Sequence, residues 1–398
     1  MRPLDGVTVL DVTQMVSGPF ATMQLADLGA DVYKIERPDG GELGRSNPPF
    51  VGGRSAYFAS VNRNKRSVAL DLASERGREA FLSLASEADV VVENHPPGRM
   101  DDFGLGYEAV REHNPAVVYC SISGFGQEGP YRELPALDLV AQAMSGVMSI
   151  TGPADGEPYR AGVPIGDVAA SMYAVQGIVL ALLRRARTGE GDRIDVSMLD
   201  CLTSWLTVRA GSSFATGRPY PRTGNALEEF VPYGVYETGE GYLAVAVVAD
   251  HQWRRLRAAL DLAGDADDDR FATAPARREH REAVDAAVEA ALADAPAAEW
   301  FGRLREAGVP VAPVYDTLEV WDDEHVRSRD RLAVVPDGDG EVRAIRHPVD
   351  FDGIDSEVRE GVPGLGEHTR EALLGAGVPE ADVEALVGAI DPPDPEGE

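Results

Sequence analysis

Short apolar runs recur through the first half of the chain, each followed by a stretch of helical periodicity, and that alternation narrows the fold more than any other feature. Residues 6–11, 29–36, 65–71, 89–94, 116–121 and 193–197 read as strands, and residues 74–85 as an amphipathic helix between two of them. Strands this apolar must be buried on both faces, which calls for a mostly parallel sheet with helices on each side. The first strand–helix–strand unit has the length of a right-handed parallel crossover. The predicted fold class is therefore α/β, a doubly wound, mostly parallel, Rossmann-like sheet. Ligands of such sheets sit beyond the carboxyl ends of the strands. There the loop 12–19, Asn94 and residues 121–126 converge, although each loop alone reads as ordinary turn chemistry. The first turn lacks G-x-G-x-x-G, so nothing supports a dinucleotide fingerprint.

The pattern changes at residues 216–230, where glycine, proline and arginine replace it and a linker is placed. A large domain over 1–215 precedes it. A smaller α+β domain, 231–328, follows and opens with a hairpin at 234–248. Residues 329–390 are expected to return to the large domain. The Pro-rich acidic stretch 391–398 reads as a disordered tail.

No uninterrupted apolar run approaches membrane-spanning length, and residues 1–5 lack a signal-peptide core, so a cytoplasmic protein without a membrane partner is expected. Cys120 and Cys201 have no ligand-like spacing and the seven histidines are scattered, so neither disulfide nor metal is expected. A formal net charge of -30 argues against nucleic acid as a partner. The 37 basic residues include just two lysines, Lys34 and Lys65; the rest are arginine. The hypothesis drawn from this surface is a salt-rich cytoplasm, where self-repulsion is screened within a few ångström.

The chemistry is placed at Asp167. Pro164 and Gly166 break regular structure just before it, and a long apolar stretch of small residues, 168–183, reads as a buried helix after it. The residue preceding a helix is usually an N-cap, and on this stretch alone that is the simpler reading. The other is an uncovered carboxylate nucleophile, kept ionised by the helix's positive end.

Several segments in order along the chain turn the choice. Leu4-Asp-Gly-Val-Thr-Val-Leu-Asp11, Ser17-Gly-Pro19, Leu28-Gly-Ala-Asp-Val-Tyr-Lys-Ile-Glu-Arg-Pro38, Asn64-Lys-Arg-Ser67, Val92-Glu-Asn94, Ser121-Ile-Ser-Gly-Phe-Gly-Gln-Glu-Gly-Pro130, Gly308-Val-Pro-Val-Ala-Pro313 and Leu365-Gly-Glu-His-Thr369 together resemble the class III CoA-transferase family, the group of formyl-CoA and carnitine CoA-transferases. Gly162-Val-Pro-Ile-Gly-Asp167 is similar to the family's nucleophile segment, which implies that Asp167 carries the acyl group and then CoA. The resemblance further implies that Met15, Val16 and Ser17 line the thioester, Arg37 lies near the nucleotide, Leu70 on the adenine side, and Asn94 on the pantetheine. It places Asp138 and Gly166 beside the nucleophile.

Three departures stand out. His95 occupies a position where the family often has an aromatic, and Asp102 one where it often has arginine, with Phe103 beside it; Arg99 is the substitute for a phosphate contact. Residues 224–234 replace the family's glycine-rich active-site loop, which argues against an oxalate/formate pair. The resemblance also implies an interlocked homodimer, acyl-CoA and carboxylic acid as substrate partners, and no permanently bound cofactor, coenzyme A coming and going as thioester. Short dicarboxylic acids, such as succinyl-CoA with mesaconate, are the substrates expected. Alternatives are an α-methylacyl-CoA racemase of the same fold, disfavoured because Leu137-Asp138 lacks the His of that group's His-Asp pair, and a non-catalytic CoA-binding protein.

Overall fold

A computed structural model describes residues 2–262, 269–337, 340–354 and 358–390. The expected tail, 391–398, lies outside the described residues. The chain divides into two compact units. One comprises Met1–Val147, Arg160–Thr216 and Arg327–Glu398; the other comprises Met148–Tyr159 and Gly217–Val326.

The first unit is built on a six-stranded parallel sheet: β1 (Thr8–Val12), β2 (Asp31–Glu36), β3 (Lys65–Ala69), β4 (Val90–Glu93), β5 (Val118–Ser123) and β6 (Asp192–Ser197), in the spatial order β3-β2-β1-β4-β5-β6. The order reverses between β1 and β4, so the crevice for a ligand opens beyond the ends of those two strands. Alternation along each strand supplies two cores. Val9, Val90, Val92 and Val118 face helices Ser17–Asp27, Ile165–Thr188 and Met198–Trp205. Leu10, Val68, Val91 and Tyr119 face helix Glu75–Glu87 and the C-terminal helices Thr369–Gly375 and Glu380–Val387. Residues 369–387 thus cover the sheet near its β3 edge. The open side of β3 is also closed: Ser67 O accepts from His368 N–H and Ala69 N–H donates to Thr369 Oγ1, both at 2.9 Å. This leaves no bare edge there for another chain to pair with.

Two readings of the sequence are corrected. The long helix begins at Ile165, with Pro164 as its cap residue and no side-chain capping bond, so Asp167 is a first-turn residue and not the N-cap. Pro164 is compatible with a helix start, and its carbonyl accepts the N–H of Val168. By length and composition this 24-residue helix is also apolar enough to cross a bilayer. Ala169, Ala170, Ala174 and Ile178 form its core face, while Met172, Leu180 and Leu183 leave an exposed apolar stripe.

The second unit holds a three-stranded antiparallel sheet made by Tyr233–Glu237, Tyr242–Ala246 and Val311–Pro313. Its core joins Leu243, Val245, Trp253, Val288, Trp300 and Leu304. Arg222 explains why residues 148–159 belong to this unit: it donates to the carbonyls of Ser149, Pro153 and Gly156.

Candidate active site

At the end of β1 the backbone turns through Thr13, Gln14 and Met15 before helix Ser17–Asp27 begins. Every peptide in that turn is held by a side chain. Asp11 Oδ1 accepts the Thr13 N–H at 2.9 Å. The Asn94 side chain, just past β4, pairs with Gln14 on both sides: its Oδ1 accepts the N–H and its Nδ2 donates to the carbonyl, each at 2.8 Å. Glu42 Oε2 accepts the Met15 N–H at 2.8 Å. Met15 is left-handed, with φ 67°, a conformation that costs a non-glycine residue about 1–2 kcal/mol. Gly18 follows because a Cβ there would lie 2.2 Å from Thr13 Cβ.

The helix after this turn has no side-chain cap at Val16. Its first N–H groups therefore have no intrahelical acceptor. It packs beside the N-terminus of helix Ile165–Thr188, and Ser171 Oγ bridges the two by donating to Ser17 O at 2.6 Å and Asp167 O at 2.8 Å. Asp167 stands where the two helix starts meet, with the Ser17 hydroxyl hydrogen-bonded to its carboxylate. Asp138 lies on the other side. Its Oδ1 accepts the Gly166 N–H at 2.7 Å and its Oδ2 accepts from Gln142 Nε2 at 2.6 Å. A Cβ at Gly166 would lie 3.0 Å from Asp138 Oδ1, so the glycine keeps this approach open.

The electrostatics differ from the expectation of a freely ionised carboxylate. Burial, then the charge of Asp138, raises Asp167 from 3.8 to about 6, while the Ser17 hydrogen bond works in the opposite direction. That rise is worth about 3 kcal/mol against ionisation. A helix terminus supplies about 0.3–1 kcal/mol in its favour. Burial wins. The result is a half-buried carboxylate more basic than one in water, which suits a nucleophile still ionised at neutral pH.

For a developing oxyanion, the N–H groups of residues 13–15 and of Gly166 are already engaged. At the uncapped helix start, the N–H groups of Val16, Ser17 and Gly18 have no hydrogen-bond acceptor among the described residues.

Met15, Val16, Ser17, Asn94, Asp138, Gly166 and Asp167 are thus brought together. His95 is held beside Asn94, its N–H donating to Glu93 Oε2 at 2.8 Å. Burial and then Arg99 keep the imidazole below its ordinary value. Arg99 lies over the Phe103 ring at 4.2 Å and 3.9 Å from Asp102, so its charge is shared with a carboxylate on an exposed turn. Arg37 is exposed at the end of β2 and donates to Gly41 O. Leu70 is 1% exposed and packed with Leu10, Ile35 and Val68, a core position with almost no surface to offer a ligand.

Glu42, Tyr57, Gln142 and Ser171 are additions that sequence reasoning did not single out. Tyr57 is half-buried, and its phenol is raised by burial and then by the charges of Asp167 and Glu42, so it lies within reach of both charges. Among the described residues no group of His, Cys, Asp and Glu is arranged to hold a metal ion.

The chain is 41% identical over 392 residues to the succinyl-CoA:mesaconate CoA-transferase of Haloarcula marismortui, covering 95% of this chain and 97% of that one. It is 37% identical to the succinyl-CoA:glutarate CoA-transferase of Mus musculus, over 94% of this chain and 86% of the relative. The crystal structure of a CAIB/BAIF family protein from Brucella suis superimposes with a TM-score of 0.88 at 36% identity, covering 94% of this chain and 99% of the other. The family model for CoA-transferase family III matches residues 4–369, and with a carboxylate standing where two helix starts meet at the sheet's crevice, the chain belongs to that family.

Proposed function

We propose that this enzyme moves CoA from succinyl-CoA to a short dicarboxylic acid of the mesaconate type, with Asp167 as the covalent carrier. The observation that carries the reading is the Asp167 carboxylate, made basic by burial and placed beside uncapped helix N–H groups. The names of the similar halobacterial and mouse enzymes support the substrate class.

In the proposed cycle an Asp167 oxygen attacks the thioester carbonyl, and the C–S bond breaks to release the CoA thiolate and leave an acyl–aspartyl anhydride. The thiolate attacks the aspartyl carbonyl, giving an aspartyl-CoA thioester and the free donor acid. The acceptor carboxylate then attacks that thioester, and the thiolate released takes the acceptor's acyl group and frees Asp167. Each step exchanges one activated carbonyl for another, so no ATP is required. Each tetrahedral oxyanion is stabilised by the N–H groups at Val16, Ser17 and Gly18. Arg37, His95, Arg99 and Phe103 are the proposed contacts for CoA itself, which enters and leaves as substrate.

The proposed assembly is a homodimer in which a second copy covers the exposed stripe of Met172, Leu180 and Leu183. Leu180→Asp should lower the melting temperature of the dimer by burying a charge in its contact; an unchanged melting temperature refutes this use of the stripe.

The test of function is a panel of CoA donors against free acids, read by chromatography, with wild type and Asp167→Ala. Transfer from succinyl-CoA to mesaconate, abolished by at least about 1000-fold in the variant, is expected. Uptake of α-deuterium by a 2-methylacyl-CoA in the absence of any acceptor would point to a racemase instead.

A further inference from the structure

We propose that Lys34 and Glu42 are positioning residues that set the turn at 13–15, and through it the placement of Ser17 and the oxyanion donors; this rests on the reading of Asp167 as nucleophile. The chain uses arginine for nearly all of its basic residues, yet keeps lysine at two places. Both lie under this turn, Lys34 and Lys65 being 0% and 1% exposed.

A compact ammonium can serve several close oxygens at once, whereas a guanidinium presents a wider planar fork. Lys65 Nζ donates to Asp11 Oδ2, Pro19 O and Asn62 Oδ1 at 2.9, 2.9 and 2.7 Å. Lys34 Nζ donates to Thr13 O at 2.9 Å and lies 3.9 Å from Asp11 and 4.0 Å from Glu42. One cation thus grips the carbonyl of Thr13 from below, while the carboxylate next to it grips the N–H of Met15.

Those two holds sit on either side of Gln14 and bracket the left-handed turn. Neither belongs to regular secondary structure. Glu42 comes from the loop after β2; its Oε2 takes the Met15 N–H and faces the Lys34 ammonium, while its Oε1 has no hydrogen-bond partner among the described residues. Burial raises its carboxyl above the ordinary value, and Lys34 opposes that. A carboxylate kept in so unfavourable a place is explained by the N–H it holds. Without it the Gln14–Met15 peptide keeps only the Asn94 bond to its carbonyl, and Ser17, two residues on, is held less firmly at Asp167.

The experiment measures the rate of acyl-Asp167 formation by rapid quench and peptide mass spectrometry, together with KM for the CoA donor and the melting temperature. Glu42→Ala should slow acylation by about 30-fold or more with KM changed less than about threefold, as expected for lost transition-state donors. Glu42→Gln keeps an acceptor for Met15 and should restore acylation to within about fivefold of wild type. Glu42→Asp retains the charge opposite Lys34 but is one methylene short of Met15; it should be as slow as Glu42→Ala, and it remains informative if the alanine variant does not fold. Wild-type acylation in Glu42→Asp, or a Gln variant as slow as the Asp one, or a loss confined to KM overturns the proposal. If wild type itself is labelled elsewhere than residue 167, the nucleophile reading fails and this one falls with it; labelling at 167 with unimpaired Glu42 variants sinks the positioning role alone.

Discussion

Asp138, at the start of helix Asp138–Met144, reaches the first turn of the helix that carries Asp167: its Oδ1 accepts the Gly166 N–H at 2.7 Å, and its charge helps to raise the Asp167 carboxyl to about 6. One carboxylate is spent on hydrogen bonds so that the other stays basic. The pH dependence of turnover should show this directly.

Turnover needs ionised Asp167, so the acid limb of kcat/KM should fall near pH 6 in the wild type. Asp138→Asn removes a like charge, which makes ionisation easier and moves the limb to lower pH. The amide Oδ1 still accepts from Gly166, but its NH2 meets the Nε2 of Gln142, so a fall in rate of about 10-fold accompanies the shift. An acid limb that stays in place or moves upward contradicts the assignment.

Asp167→Asn should stabilise the fold at neutral pH. The folded carboxyl lies near 6, above its ordinary 3.8, so its contribution favours folding fully below about pH 4 and is lost as pH rises through 6. Replacing it with a neutral amide removes that loss. Melting curves should show a gain of roughly 2–4 °C at pH 8 and none at pH 3.5. Equal effects at both pH values argue against a buried charge as the cause.

Asn94→Ala strips both bonds from the Gln14 peptide at the crevice. Leaving two partly buried backbone groups unpaired costs roughly 1–3 kcal/mol, and the turn carrying Ser17 loosens. Denaturant unfolding and steady-state kinetics should report both a loss of stability and a lower kcat. A variant with unchanged kcat shows that the turn holds its shape without the amide.

The acidic surface supplies the fourth prediction, which remains a hypothesis about the host. With a net charge of -30, dialysis from molar salt into dilute buffer lengthens the screening distance from about 3 Å to about 30 Å, and self-repulsion should lower the melting temperature steeply. Unaltered melting across that range would rule the idea out.

The sheet is legible because parallel strands are largely apolar: all six strands lie within two residues, at each end, of the bounds read from the sequence. Asp167 was legible only through its surroundings, since Pro164 and Gly166 mark a helix start that periodicity places a little late. The remainder of the site was not. Glu42 and Tyr57 come from a stretch with little helical or strand periodicity, and only the tertiary fold carries them to Met15 and Asp167. Lys34 and Lys65 did leave a trace, as the chain's only lysines, but composition alone gives no sign that both are buried under one turn. Leu70 shows the opposite error, a position matched to a ligand contact whose side chain the core claims first.

The closure of β3 by residues 366–369 has a consequence for synthesis. As the chain leaves the ribosome, the strand Lys65–Ala69 is made some 300 residues before Thr369, the partner that takes the Ala69 N–H. Until then its outer rim and the apolar surface awaiting Leu373 and Val383 stand open to other nascent chains. A polysome translating this message holds many such unfinished rims close together, so chaperone dependence should be greatest just before the last helices emerge.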